Sequence, residues 1–263
     1  MTVNQLERRK ALIQMLLSEQ PGRYRGISVP TGQGMQRRLL RGLLNLREPM
    51  PAAPELLRTQ DEYLLNELSR RGVTDADALE ELRPGICLRR GDITTLRCDA
   101  IVNAANSALL GCFCPNHGCS DNAIHTWAGI QLRLACKAIM DAQGHEEPTG
   151  TAKLTLAYNL PCRYVLHTVG PIVQGLVTAE DEQLLASCYR ACLDLAAEHA
   201  LRSVAFCCIS TGEFHFPHEL AAQIAISTVR GHEAVRQGRV RVIFNVFKEQ
   251  DEAIYKRLLC AAD

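Results

Sequence analysis

Up to about residue 83 the apolar positions recur at helical spacing. After Ile86 they fall into short continuous runs separated by longer amphipathic stretches. Leu6, Ile13, Leu16 and Leu17 mark a first amphipathic helix. Residues 33–46 mix leucines with Arg37, Arg38 and Arg41, read as a solvated helix face, with phosphate binding as the alternative. EPMPAAP at 48–54 is a proline-rich break. Leu57, Leu64, Leu65 and Leu68 give another helix ending at Gly72, and Thr74 can cap a short helix running through Leu82 to the stop at Pro84-Gly85. Residues 1–83 therefore read as an α-helical N-terminal extension.

From residue 84 the pattern is strand–helix alternation. ICLRR and DAIVNAA read as strands joined by the tight turn Gly91-Asp92-Ile93-Thr94. A helix is expected over 121–142, with Ile124, Trp127, Ala128, Leu134, Ala135 and Ala138 on one face. AKLTLAY and RYVLHTVG are the next strands, separated by Asn159-Leu160-Pro161. A helix at 181–199, the apolar strand SVAFCCIS, a helix near 217–231, the strand RVRVIFNVF and a helix over 250–261 complete the chain. Strands and helices of these lengths predict a three-layer α/β/α domain over 84–263 with a mixed, largely parallel central sheet.

Composition narrows the function classes. Twenty-nine basic and 29 acidic residues cancel, which argues against nucleic acid or an anionic membrane surface as partner. A small anionic ligand stays open, because backbone N–H groups at a helix start can hold a diphosphate without net charge. The opening MTVNQLERRKALIQMLL is too short to span a bilayer and lacks a secretory cleavage pattern. With twelve cysteines this points to a reducing, cytoplasmic setting and thiols used for packing or metal. Cys188, Cys192, Cys207 and Cys208 read as core residues.

The chemistry concentrates in Asn103–His125, NAANSALLGCFCPNHGCSDNAIH. Cys112, Cys114, His117 and Cys119 are metal ligands by type, crowded into one loop without a second pair downstream. Three ligands with an open fourth position is the pattern of a catalytic or substrate-orienting zinc. Cys114 could close the site, but alternate side chains of an extended loop point apart, so it reads as a spectator. Ser210-Thr211-Gly212-Glu213-Phe214-His215-Phe216-Pro217 leaves a buried strand and opens a helix, a turn able to offer N–H groups to a diphosphate. Asp92 ends the first strand, where its carboxylate could accept from an exocyclic amine or serve only the turn.

Taken in order, GDIT, DAIVNAAN, DNAIH, YNLPCRYVLHTVGP and CISTGEFHFP resemble the motif series of the macrodomain family, which binds ADP-ribose. The insertion GCFCPNHGCSDNAIH resembles the zinc-containing branch of that family, whose members remove ADP-ribose from proteins. The resemblance covers about Pro84 to the C-terminus and part of the extension. It implies that Asp92 and Ile93 contact the adenine and that Asn103 and Asn106 lie near the distal ribose. It further implies that Cys112, His117 and Cys119 bind Zn2+, with Asp121 and Asn106 catalytic. Ser210, Thr211, Gly212, Glu213 and Phe214 would form the phosphate loop, with Phe216 against the distal ribose. Two departures stand out: the zinc loop replaces the glycine-rich catalytic loop, and His215 stands where many macrodomains have glycine.

The function so implied is zinc-dependent hydrolytic removal of mono-ADP-ribose from protein side chains by a monomer, with zinc positioning ribose and water and Asp121 as base. Asp121 could instead cap the helix that follows, and His125 reads as packing. Bacterial relatives imply a lipoyl carrier protein modified by a sirtuin-type transferase as substrate. The alternatives are a non-catalytic ADP-ribose-binding module with a structural zinc, and a zinc-stabilised interaction module.

Overall fold

The computed structural model describes residues 4–261; residues 1–3, which open the N-terminal segment considered above, and residues 262–263 lie outside the described residues. Three helices form the extension: α1 (Gln5–Glu19), α2 (Gln33–Leu46) and α3 (Pro54–Arg71). Their apolar stripes meet in a core of their own, in which Leu12, Ile13, Leu16, Leu40, Leu43, Leu56 and Leu64 are buried together with Ile130 from the following domain. Each such side chain contributes about 1.5–3 kcal/mol by leaving water. The extension is therefore a packed unit of its own that meets the domain at Ile130.

A short strand β1 (Thr74–Asp75) and a 3-10 turn over Ala76–Ala78 lead to β2 (Glu81–Arg83) and β3 (Ile86–Arg90). The helix expected over 74–82 is thus absent. Thr74 and Asp75 instead pair with β4 (Leu96–Arg97), and β2 pairs antiparallel with β3. Tertiary pairing overrides a local capping signal, and the sheet begins before Pro84.

The remaining elements are β5 (Ala100–Ala105), α4 (Ser120–Ala128), α5 (Ile130–Gln143), β6 (Ala152–Leu156), β7 (Tyr164–Val169), α6 (Ala179–Glu198), β8 (Ser203–Phe206), α7 (His218–Gly231), α8 (Glu233–Arg236), β9 (Arg241–Val246) and α9 (Glu249–Cys260). The helix expected over 121–142 is two helices, because the chain turns at Gly129. The strand expected over 203–210 leaves its ladder after Phe206, which frees residues 207–210 to turn toward the site.

The seven-stranded sheet runs β2-β3-β9-β8-β5-β7-β6. Its central pairs are parallel, and the antiparallel strands β2 and β6 lie at the two edges. Helices α6, α7 and α9 cover one face, α4 and α5 the other, and α2 packs on α4. This is the expected three-layer α/β/α architecture with a mixed, largely parallel sheet. Parallel strands with short exits place every loop after β3, β5, β7, β8 and β9 at one edge, the edge where open α/β sheets bind ligands.

Candidate active site

The first loop at that edge follows β3. Gly91 N–H donates to the Val246 carbonyl and Asn245 Nδ2 to the Gly91 carbonyl, both at 2.9 Å, which locks the turn to the end of β9. Asp92 opens the 3-10 turn, and its Oδ1 accepts from the Thr94 amide (2.9 Å) and hydroxyl (2.7 Å). Ile93 beside it is buried. The first residue past β9, Phe247, is 75% exposed. A large aromatic in water at a strand's carboxyl end, joined through this lock to the turn of Asp92, is a surface on which a base can stack. From the sequence Phe247 is only the tail of the strand RVRVIFNVF, with no role assigned; an aromatic just beyond an apolar run is the available signal.

The second loop follows β5. The ligand atoms of Cys112, His117 and Cys119 all lie within 4.8 Å of one another, with Cys112 Sγ 3.7 Å from His117 Nδ1. Cys114 is exposed and is not part of this group. Two sulfurs and an imidazole nitrogen converging from one loop fit a tetrahedral zinc with one position left over. The loop is held from outside. Arg41 donates to the His117 carbonyl (2.9 Å) and to Asn122 Oδ1 (2.8 Å), and Asn45 Oδ1 accepts from the Asn116 amide (2.9 Å). Arg133 donates to the Leu110 carbonyl (2.7 Å) and lies 4.3 Å from the centre of the Phe113 ring. Arg41, expected on a solvated face or at a phosphate, instead holds this loop, and Asn45 and Arg133, given no role from the sequence, do so with it. Arg37 and Arg38 are exposed as expected, whereas Arg41 is half-buried against this loop.

Asp121 does not cap α4. That place is taken by Cys119, whose Sγ accepts from the Asn122 amide at 3.4 Å. The Asp121 carboxylate is buried and accepts at 2.8 Å from Asn103 Nδ2. Burial pushes its pKa up to about 6, against the Asn103 hydrogen bond and the charge of Arg133. Asn103, expected beside the distal ribose, is fully buried between Asp121 and His167 Nδ1 (3.2 Å), so it orients Asp121 from behind. Asn106 Nδ2 donates to the Gly111 carbonyl at 3.2 Å, and its Oδ1 is buried without a partner among the described residues. His125 is buried 3.6 Å from Asp121, in contact range but beyond a hydrogen bond. A Cβ at Gly111 would stand 2.7 Å from its ring, so glycine alone lets the loop pass over this histidine.

His167 has its other nitrogen 2.9 Å from Thr155 Oγ1, and burial drives its pKa down to about 3. The unfolded chain therefore binds a proton near pH 6.5 that the folded chain refuses. Its contribution is complete above pH 6.5 and is lost steadily as the pH falls toward about 3. Between about pH 7.5 and about pH 5.5 the loss amounts to about 1.4 kcal/mol. Urea unfolding with chelator present should show a shallower pH dependence in His167→Gln than in the wild type, by that amount. Equal slopes would contradict the assignment.

The third loop, after β8, carries residues 210–217, those expected to hold the diphosphate. Ser210 (φ 64°) and His215 (φ 57°) take left-handed backbone angles, and Phe216 N–H donates to the Ser210 carbonyl at 3.0 Å. His215 carries an angle that glycine takes at no cost and other residues hold at about 1 kcal/mol or more. Its ring is exposed. The amides of Thr211, Gly212, Glu213 and Phe214 donate to no other described residue, and Ser210 Oγ is buried without a partner among them. A Cβ at Gly170 would lie 2.1 Å from Ser210 Oγ. Glycine after β7 is thus what admits this loop. Phe216, expected against the distal ribose, is 1% exposed and packs in the domain core. The half-buried Phe214 is the aromatic with surface left to offer. His117 Nε2 stands 3.5 Å from Glu213 Oε1, so the loops after β5 and β8 meet.

Comparison with known proteins identifies the fold. The profile of the Macro domain matches residues 102–225. The chain is 36% identical to a macrodomain of Oceanobacillus iheyensis solved with ADP, over 69% of this chain and 93% of that one (TM-score 0.61). It is 32% identical to a Trypanosoma brucei macrodomain solved with ADP-ribose, over 83% and 94% (TM-score 0.64). The chain belongs to the macrodomain family. Within that family it is 51% identical to a protein-ADP-ribose hydrolase of Treponema medium, spanning 98% of this chain and 100% of that one. It is 49% identical to the protein-ADP-ribose hydrolase of Staphylococcus aureus strain MSSA476, over 83% and 82%.

Proposed function

We propose that this protein is a zinc-dependent hydrolase that removes single ADP-ribose units from modified protein side chains. Relatives that match 98% and 83% of the chain at about half identity carry the name protein-ADP-ribose hydrolase. The observation that carries the further reading is the juxtaposition around Asp121. A buried carboxylate stands two residues past the ligand-type Cys119 and is fixed by Asn103. The metal-ligand loop that contains Cys119 meets the phosphate loop at His117–Glu213.

Each part of the ligand has a place. The adenine stacks on Phe247 and gives its amine to Asp92. The diphosphate takes the open amides of residues 211–214, as anions do at clustered backbone N–H groups. The distal ribose then falls between Asn106, whose unpartnered Oδ1 accepts from a hydroxyl, and Asp121. Cleavage at the anomeric carbon passes through an oxocarbenium-like state. The Asp121 carboxylate stabilises that positive charge and takes a proton from the attacking water; water's oxygen bonds to the anomeric carbon, the bond to the side chain breaks, and the proton passes to the departing group. Cys112, His117 and Cys119 would hold the zinc, which supplies a Lewis-acidic centre that orients a ribose or water oxygen.

The test is release of ADP-ribose, with metal content measured on the same sample. Substrates should include proteins modified on serine, on acidic side chains, and a lipoyl carrier protein modified by a sirtuin-type transferase. Release from at least one, by protein containing about one zinc per chain, is the expected result. Tight ADP-ribose binding without release from any of them would make the protein a binding module instead. In the same preparation Phe247→Ala should weaken ADP-ribose binding by about tenfold or more, the loss of one base–aromatic stack, measured by calorimetry. Unchanged affinity would remove Phe247 from the adenine site.

A further inference from the structure

Arg71 is the last residue of α3, and the following Gly72 closes that helix with its amide on the Leu68 carbonyl at 3.1 Å. Its guanidinium lies 3.7 Å from the centre of the Trp127 ring on α4, the helix that bears Asp121. From that stack Nη1 reaches Asp92 Oδ2 at 3.0 Å and Thr94 Oγ1 at 2.8 Å. The Thr94 hydroxyl in turn donates to Asp92 Oδ1, so arginine, threonine and aspartate form a closed ring of hydrogen bonds. A carboxylate has about four acceptor positions. Three are occupied here, by the Thr94 amide, the Thr94 hydroxyl and Arg71. The Asp92 side chain is 39% exposed, which leaves the remaining position open to solvent.

We propose that Arg71 is a positioning residue that sets specificity for adenine: it holds the Asp92 carboxylate with one acceptor position aimed at the exocyclic amine. The inference rests on the reading of Asp92 as the adenine contact. Stacking fixes the guanidinium plane, and its in-plane donors fix the carboxylate, a task the flexible point charge of lysine does not perform. The extension thereby acts on ligand selection from outside the sheet.

The experiment compares binding of ADP-ribose with binding of inosine diphosphate ribose, in which a carbonyl replaces the amine. Wild-type protein should prefer ADP-ribose. Arg71→Met should cut ADP-ribose affinity by about tenfold, the loss of one charge-assisted contact, and leave the inosine ligand within about twofold. Arg71→Lys, which keeps length and charge and so guards against loss of folding, should also lower the preference. In an Asp92→Asn background Arg71→Met should change the preference no further, since both residues act through one carboxylate. Fluorescence of Trp127, the chain's only tryptophan, reports whether the stack is lost. Equal loss for both ligands, or an undiminished effect of Arg71→Met without Asp92, overturns the proposal. No ADP-ribose binding by the wild type would instead overturn the functional reading beneath it.

Discussion

Asp121→Asn should lower turnover of mono-ADP-ribosylated protein by about a hundredfold to ten-thousandfold while free ADP-ribose still binds. That range is what a positioned general acid or base contributes. The substitution is a clean one. Asparagine can present the same oxygen to Asn103 Nδ2, now at 2.8 Å, so the buried contact survives. It also removes a charge from a buried site whose desolvation raises the carboxyl pKa. The variant should consequently be no less stable than the wild type, and is expected to be somewhat more stable at neutral pH. Initial rates give the first quantity and thermal unfolding the second. A variant that melts early and retains its turnover would show Asp121 to be a structural residue.

Cys119→Ser should remove the metal, abolish release of ADP-ribose, and weaken but not eliminate binding of the free ligand. Serine is chosen because Cys119 has two separable roles. As the residue that caps α4 it accepts from the Asn122 amide, and serine is among the best residues for that position. As one of three converging ligand atoms it supplies a soft sulfur that a hydroxyl does not replace. The helix start, and Asp121 within it, should stay in place while the ligand set drops to two. His117→Ala should give the same loss through the nitrogen. Metal analysis, turnover and calorimetric binding on one preparation separate the outcomes. A metal-free, folded variant with full turnover would exclude the metal from the reaction and leave it a pin for the loop.

Both predictions depend on residues named from the chain alone, the metal ligands through their locality and Asp121 through the resemblance to macrodomains. Cys112, His117, Cys119 and Asp121 lie within ten residues of one another, so their spacing already constrains their meeting. GDIT and STGEFHFP were equally readable, because a turn after an apolar strand in a strand–helix alternation must emerge at the carboxyl edge of a parallel sheet. Strand order within that sheet, its antiparallel edges and the break at Gly129 were less so. They follow from which segments pack together, and a helix interrupted by one glycine keeps nearly the same apolar period on both sides.

What the sequence by itself determined was the set of reactive groups, the class of fold that gathers them, and the kind of ligand they suit. The tertiary structure decided their assignments. It gave the cap of α4 to Cys119 and so removed that alternative role from Asp121, withdrew Asn103 behind the carboxylate it steadies, and buried Phe216 while leaving Phe247 in water. It also turned residues 74–75 and 81–83 into strands in place of a helix, since pairing with β4 and β3 outweighs a few tenths of a kcal/mol per residue of local preference. Above all it brought Arg41, Asn45 and Arg71 from the extension onto loops between 21 and 76 residues away. No local period records such meetings. They depend on how two separately buried cores, joined through Trp127 and Ile130, come to rest against each other.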